Sequence, residues 1–524
     1  MAEESGQGLG NGASALMSTL AGAGVDHVFA NPGTSEMHLV QALEGETRIH
    51  PVLTLFEGVA SGAADGFGRM AGRPAATLLH LGAGLGHATA NLHNARRAGT
   101  PLINLVGDHA RHHRPFDAPL DADIEGIARP FSSWVRTARS AHGLAQDGAE
   151  AIAAASTAHP GSLGSIATLA IPVDCAWGAA PGPRAPVAVS ARAQVPEAAI
   201  AAAASALRSG TLLLLDGDAL TAEGQRWAAA LAQKTGAAVS ATTFPARVEQ
   251  GPQLPSLARL PYFPEDVQRA LAGVHTILRV GAEAPVSFFA YEGVPSDLTP
   301  EGAQVLTLAE RHEDVLDALA RLGSAMGVTL ADAPAQGQRR PEVPAGALGA
   351  RQVGATLAAL LPEDAIVTVD SGGGGAAAVP CASAAPHSWL NLTGGSIGMG
   401  GPLATGAALA CPGRPVFALL GDGGALYSLQ ALWTQARESL PVITLIYNNR
   451  RYNILDHEYR RLGINEVGPR AESLFDLSRP DVDFLALAKG FGVPAVRVSE
   501  GPALAEAIGR ALAAGGPQLI EVML

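Results

Sequence analysis

Short apolar runs alternate along the chain with Ala- and Gly-rich stretches of helical spacing. Val25-Asp26-His27-Val28-Phe29-Ala30, Ala76-Thr77-Leu78-Leu79-His80 and Leu102-Ile103-Asn104-Leu105-Val106 are bounded by turn residues. Runs of that length predict buried strands, and the small-residue helices between them predict βαβ units on a parallel sheet. A second series opens at Thr211–Leu215, followed by Asp216-Gly217, and continues at 237–240 and 276–280. A third opens at Ala365-Ile366-Val367-Thr368-Val369-Asp370. Pro181-Gly182-Pro183-Arg184-Ala185-Pro186 breaks any regular element, and so does the polar, Pro-rich stretch 333–344. The pattern predicts an α/β fold of three doubly wound parallel-sheet domains spanning 1–182, 187–332 and 345–524.

A length of 524 residues exceeds what one hydrophobic core organises, which agrees with several domains. Apolar residues at 48% against 16% charged exclude global disorder. The net charge of −13, with no Lys/Arg run, argues against a nucleic-acid or membrane surface. Cys175, Cys381 and Cys411 stand far apart and fit neither a disulfide framework nor a zinc site. The first residues are acidic and polar, and no apolar run approaches ~20 residues, so a cytoplasmic protein is expected. Small-molecule chemistry is the class left standing.

The third series carries that chemistry. The apolar run Val416-Phe417-Ala418-Leu419-Leu420 ends in Gly421-Asp422-Gly423-Gly424, and Val442-Ile443-Thr444-Leu445-Ile446-Tyr447 ends in Asn448-Asn449. In a parallel sheet two such carboxyl ends lie side by side, so Asp422 and Asn449 can meet at one ion. A carboxylate, an amide oxygen and a backbone carbonyl form a hard-oxygen set suited to Mg²⁺ or Ca²⁺. The glycines Gly421, Gly423 and Gly424 let backbone approach a diphosphate. Gly-Asp-Gly alone is most often an ordinary turn. Combined with Asn-Asn across one strand-helix-strand unit, it resembles the cofactor motif of thiamine-diphosphate-dependent enzymes.

That resemblance covers nearly the whole chain, in the domain order pyrimidine-binding, central, diphosphate-binding. It implies thiamine diphosphate held through Mg²⁺, with Asp422, the Asn449 side chain and the Arg451 carbonyl as metal ligands. In Leu55-Phe56-Glu57-Gly58-Val59-Ala60, Glu57 stands at a strand-to-helix junction; on residue type alone it is a helix-start glutamate facing the dipole. By resemblance it binds the aminopyrimidine ring and promotes its imino tautomer, which generates the reactive ylid. Gly394-Gly395-Ser396-Ile397-Gly398-Met399 matches the segment whose large apolar residue bends the cofactor; Ile397 is the choice, with Met399 the alternative. Ser371 opens a turn placed where the family contacts diphosphate and pyrimidine, and Tyr452 opens a helix or lid over the site. Because the two halves of such a site come from different subunits, the resemblance implies at least a homodimer, and a homotetramer is expected.

Within the superfamily the chain is most similar to benzoylformate decarboxylase and acetolactate-synthase-like proteins. Thr34, in Asn31-Pro32-Gly33-Thr34-Ser35-Glu36, inherits a contact to the substrate carboxylate, and His80 a proton-transfer role. Phe289 stands where the decarboxylase pattern has a second histidine, and the flavin-contacting segment expected after Arg279-Val280-Gly281 is missing. The run His109-Ala110-Arg111-His112-His113 is open between an anion or metal site and a solvated loop. The expected activity is decarboxylation of a 2-oxo acid through ylid and enamine. The alternatives are acetolactate-synthase-like carboligation without FAD and a non-catalytic cofactor-binding paralogue.

Overall fold

A computed structural model describes residues 10–337, 339–464 and 466–524. The first segment contributes β1 (His27–Asn31), β2 (His50–Leu53), β3 (Ala75–Leu79), β4 (Leu102–Asp108), β5 (Trp134–Thr137) and β6 (Ile166–Pro172), all parallel, in the order β2-β1-β3-β4-β6-β5. The middle segment holds β7 (Thr211–Leu215), β8 (Ala238–Ala241), β9 (Arg247–Gln250), β10 (Ala258–Arg259), β11 (Thr276–Val280) and β12 (Gln304–Ala309). All but β9 form a second parallel sheet, β10-β8-β7-β11-β12. The last segment adds β13 (Ala365–Val369), β14 (His387–Leu390), β15 (Val416–Gly421), β16 (Val442–Asn448), β17 (Ala495–Val498) and β18 (Gln518–Met523). The third sheet runs β17-β18-β16-β15-β13-β14-β9, so β9 crosses from the middle segment to pair antiparallel with β14. The α/β class and the three sheets agree with the sequence pattern; the loan of β9 was not expected. It caps an edge strand whose four residues are all buried.

The continuous apolar runs are explained by burial on both sheet faces: every residue of β3, β4, β7, β13 and β16 is buried. Chain direction along each outer sheet reverses at one place. In the first sheet β1 leads outward to β2 while β3 lies on its other side, and in the third β13 leads to β14 while β15 lies opposite. Loops leaving the carboxyl ends of such a strand pair diverge and open a crevice, which is where ligands settle in doubly wound sheets.

Helix Glu57–Ala71, of sequence EGVASGAADGFGRMA, is buried over almost its whole circumference. It lies against helix Gly400–Ala410, and small residues let the two backbones touch. A Cβ on Gly66 would stand 2.0 Å from the Leu403 carbonyl oxygen, and one on Gly406 1.7 Å from that of Ala63. Arg69 completes the joint. It forks onto Asp65 (Nε–Oδ1 2.9 Å, Nη2–Oδ2 2.6 Å) and donates to the Asn391 carbonyl (2.8 Å) and Thr393 Oγ1 (3.1 Å) at the end of β14. We expect Gly406→Ala to lower the unfolding free energy by about 1–3 kcal/mol, the usual cost of overpacking. A denaturant midpoint equal to that of the unaltered protein would count against this backbone contact.

Candidate active site

Both crevices carry oxygen- and nitrogen-bearing side chains. At the third sheet, Ser371 follows β13, Asp422 follows β15 and Asn449 follows β16. Strands β15 and β16 are parallel neighbours, with Gly421 opposite Tyr447, so the expected meeting of their ends is observed. Asp422 is 6% exposed; Oδ1 accepts from Gly423 N (2.8 Å), and Oδ2 from Asn449 N (3.1 Å) and Arg451 N (3.3 Å). Asn449 Oδ1 accepts from that same Arg451 amide at 3.0 Å. The two side-chain oxygens therefore converge on one point. Between them Arg450 adopts φ +58°, a left-handed conformation costing a non-glycine residue roughly 1–3 kcal/mol, as strained functional loops often do.

No basic side chain pairs with Asp422 among the described residues, and burial raises its carboxyl above the ordinary range. The Arg451 guanidinium is engaged elsewhere, by Asp456 and Glu472, which hold its pKa high. A buried carboxylate served only by backbone amides, beside an amide oxygen, suits a hard divalent cation. Gly423 and Gly424 bring backbone close: a Cβ on the former would strike the Tyr452 ring at 2.3 Å, and one on the latter would sit 3.6 Å from Ile397 Cβ. Ile397 is half-buried at this place, whereas Met399 is fully buried in the core with Leu403 and Leu420. Burial, with Tyr427 beside it, raises the Tyr452 phenol pKa. Gly395, at φ +77°, packs against Phe288: a Cβ there would lie 2.6 Å from that ring. Phe288, not Phe289, is thus the aromatic side chain at this turn; Phe289 is 54% exposed and packs edge-on against it.

One residue that organises this crevice was not picked out from the sequence. Asp370, at the end of β13, is fully buried, and its Oδ2 accepts from the amides of Gly398 (3.2 Å) and Gly400 (3.1 Å), which pins the turn carrying Ile397. Its Oδ1 has no hydrogen-bond partner. The clue was a lone carboxylate closing a fully buried strand.

At the first sheet's crevice, Glu57 is the first residue of its helix, 6% exposed, where the dipole favours a carboxylate. His80 ends the β3 connection, and the next residue, Leu81, has φ +48°. The His80 ring is held by Glu36, which sequence reasoning passed over: Nδ1 lies 2.8 Å from Oε2. Glu36 is wholly buried and also accepts from Gly33 N (2.7 Å) and Ser35 Oγ (2.9 Å). Glycines make the space: a Cβ on Gly107 would be 1.7 Å from Glu36 Oε1, and one on Gly33 2.2 Å from His80 Nδ1. A buried carboxylate on Nδ1 fixes the ring and leaves Nε2 to face a reactant. Thr34 is exposed at the start of the adjoining turn. Glu57 and His80 are brought together, since a Cβ on Gly84 would lie 2.9 Å from Glu57 Oε1 and 3.4 Å from His80 Cβ. No hydrogen bond within the chain joins Glu57, His80 or Thr34 to Asp422, Asn449 or Ile397 among the described residues.

The histidine-rich loop gathers no metal set: among the described residues no group of three or more His, Cys, Asp or Glu side chains is placed to hold an ion. His109 and His113 pack edge to face at 5.5 Å. A cleft of about 730 Å³ between the first and middle segments, lined in part by Arg96, Arg97, Arg311 and Phe244, meets the region described above only through Phe288, Thr393 and Gly394. No helix among the described residues is long and apolar enough to cross a membrane.

With two strand-end crevices and these donor sets in view, comparison with known proteins defines the class. Residues 10–126 match the model of the thiamine pyrophosphate enzyme N-terminal TPP binding domain, and 372–522 that of the C-terminal TPP binding domain. The chain belongs to the thiamine pyrophosphate enzyme family. It is 48% identical to a Mycobacterium tuberculosis protein named "Putative acetolactate synthase large subunit IlvX", over 98% of this chain and 99% of that one. It is 31% identical to the benzoylformate decarboxylase of Pseudomonas aeruginosa, over 95% of this chain and 96% of that one. A solved thiamine diphosphate-dependent 4-hydroxybenzoylformate decarboxylase from Rhodococcus jostii RHA1 superposes with a TM-score of 0.84 at 27% identity, covering 98% of each chain.

Burial lifts the Asp370 carboxyl from an ordinary 3.8 to about 6. The native state then binds this proton more tightly than the unfolded chain, so the stabilisation is complete below pH ~4 and is lost as pH rises through ~6. At about 1.4 kcal/mol per unit this amounts to about 3 kcal/mol. We expect Asp370→Asn to abolish that dependence, so that the melting temperature of the unaltered protein falls relative to the variant's between pH ~4 and ~6.5. Parallel melting profiles across that range would contradict it.

Proposed function

We propose that the protein is a thiamine diphosphate- and Mg²⁺-dependent 2-oxo acid decarboxylase, organised as domains 1–182, 187–332 and 345–524. In this reading Asp422, Asn449 and the Arg451 carbonyl hold the metal ion and through it the diphosphate. Gly421, Gly423, Gly424, Ser371, Gly395 and Tyr452 would line the cofactor, and Ile397 would brace it with an apolar side chain. Bound there, thiamine diphosphate supplies a nucleophilic carbon and an electron sink. The protein supplies the rest. Glu57 hydrogen-bonds the pyrimidine ring and controls where its proton resides, Thr34 contacts the substrate carboxylate, and His80 moves a proton at Nε2 while Glu36 holds Nδ1. By the family resemblance, Glu57 meets the cofactor of a second copy, in a homodimer or a tetramer of such dimers. The enzyme works in the cytoplasm.

The observation that carries this reading is the convergence of the Asp422 and Asn449 oxygens on one amide, around a carboxylate that lacks a basic partner among the described residues. His80, fixed by a buried carboxylate, favours decarboxylation, because the product must be protonated. The second reading, acetolactate-synthase-like carboligation, draws on the aromatic wall of Phe288 and Phe289 and on the 48% identical relative's name.

Incubation with Mg²⁺, thiamine diphosphate and a panel of aliphatic and aromatic 2-oxo acids is expected to release CO₂ and aldehyde. Hydroxyketone without aldehyde would establish the carboligase instead, and bound cofactor without turnover across the panel the non-catalytic paralogue. Asp422→Ala is expected to abolish retention of thiamine diphosphate on gel filtration, and EDTA is expected to do so reversibly in the unaltered protein. Retention unchanged by both treatments would overturn the metal assignment.

A further inference from the structure

Glu57 has one side-chain hydrogen-bond partner among the described residues, and it is not a residue the family resemblance singled out. His87 Nδ1 lies 2.9 Å from Glu57 Oε2. The Glu57 side chain is 8% exposed, whereas that of His87 is 60% exposed. Within one protomer the imidazole thus spans the boundary between a buried carboxyl and the surface. Its place is fixed from three sides. Helix Leu81–Ala98 carries it seven residues after His80, two turns along and so on the same face. Gly84, one turn before it, lets Glu57 Oε1 come within 2.9 Å of where a Cβ would stand. The Phe56 ring packs against the imidazole at 5.5 Å between centroids. The result is a pair of like units on one helix: Glu36 holds His80, and Glu57 holds His87.

An exposed histidine–carboxylate pair ordinarily contributes little to stability. Here, however, the carboxylate is the group assigned to the pyrimidine ring, and a buried acid that must gain and lose a proton in every cycle needs a route to water. We propose that His87 is a positioning residue that relays protons between Glu57 and solvent, an inference that rests on the reading of Glu57 given above. In the outward step the Glu57 O–H bond breaks as Nδ1 gains the proton, and the Nε2–H bond breaks as water takes that proton. No electrons are transferred, and the neutral ring is left with its hydrogen on Nδ1, donating to the carboxylate. The inward step reverses this and restores the first tautomer. His80 and His87 thus serve different partners, one the substrate and the other Glu57.

Two measurements test the relay. In the cofactor-free protein, ¹⁵N NMR is expected to find the His87 hydrogen on Nδ1, and Glu57→Ala to abolish that preference; an Nε2–H tautomer in both proteins overturns the proposal. With Mg²⁺ and thiamine diphosphate bound, acid-quenched NMR follows exchange of the cofactor C2 proton for deuterium independently of turnover. His87→Ala and His87→Gln are expected to slow this exchange on the order of 10²-fold. Imidazole in the buffer is expected to restore much of the rate to His87→Ala. It should not restore His87→Gln, which keeps a hydrogen-bond donor but cannot carry a proton through. Exchange unchanged in both His87 variants but slow in Glu57→Gln overturns the relay and leaves Glu57 in place. Undiminished exchange in Glu57→Gln removes both.

Discussion

The joint between helix Glu57–Ala71 and helix Gly400–Ala410 is the contact on which the remaining geometry depends. Where Gly66 and Gly406 let carbonyl oxygens approach, the two helices are held backbone to backbone, closer than interdigitating side chains would permit. Each helix also borders a crevice. The first begins at Glu57, and the second follows directly on the turn carrying Ile397 and Met399. The joint therefore fixes the direction in which Glu57 emerges and the base from which the Ile397 turn projects. The Asp65–Arg69 pair extends this hold to the end of β14 through Asn391 and Thr393. Breaking a buried pair of this kind leaves an uncompensated charge, so the pair and the glycine contacts are mutually dependent.

Within that frame, polar groups at strand ends are arranged by buried carboxylates. Asp370 gathers the Gly398 and Gly400 amides, Asp422 those of Gly423, Asn449 and Arg451, and Glu36 the Gly33 amide together with His80. Each fixes a loop that would otherwise have several conformations, and each does so where the sheet's strand order reverses. Asn94 performs a related service from the first segment. Its Oδ1 accepts from Gly394 N (3.2 Å) and Ser396 N (3.3 Å), and its Nδ2 donates to the Ser396 carbonyl (2.8 Å). Helix Leu81–Ala98 thus presents histidines toward one crevice while holding a loop of the other.

What the sequence revealed and what it hid follow from range. Strand Thr211–Leu215 was legible residue by residue because burial on both faces leaves a run of four leucines, and Thr276–Val280 remained legible although Arg279 interrupts its apolar run. Asp422 and Asn449 were legible because both end such runs within one βαβ unit, where parallel pairing fixes their relation. Glu36 with His80 and Glu57 with His87 were not, since each pair joins different elements and depends on helix orientation. Strand Arg247–Gln250 carries no periodic apolar signature, as it follows its partner rather than a core face. The choice of Phe288 over Phe289 turns on one residue in an irregular stretch, where neither the helical nor the strand period constrains direction.

That loaned strand has a bearing on how the molecule could have been assembled, or could be taken apart. Without β9 the third sheet would end at β14, and the backbone of His387, Ser388, Trp389 and Leu390 would become an open row of donors and acceptors beside a large apolar side chain. The middle segment is therefore not an ornament that evolution or an engineer can excise to leave a minimal two-domain catalyst. Any shortened version must bring its own edge protection or associate through that edge. Conversely, the middle segment cannot swing as a free arm, because four residues of its chain are woven into its neighbour's sheet.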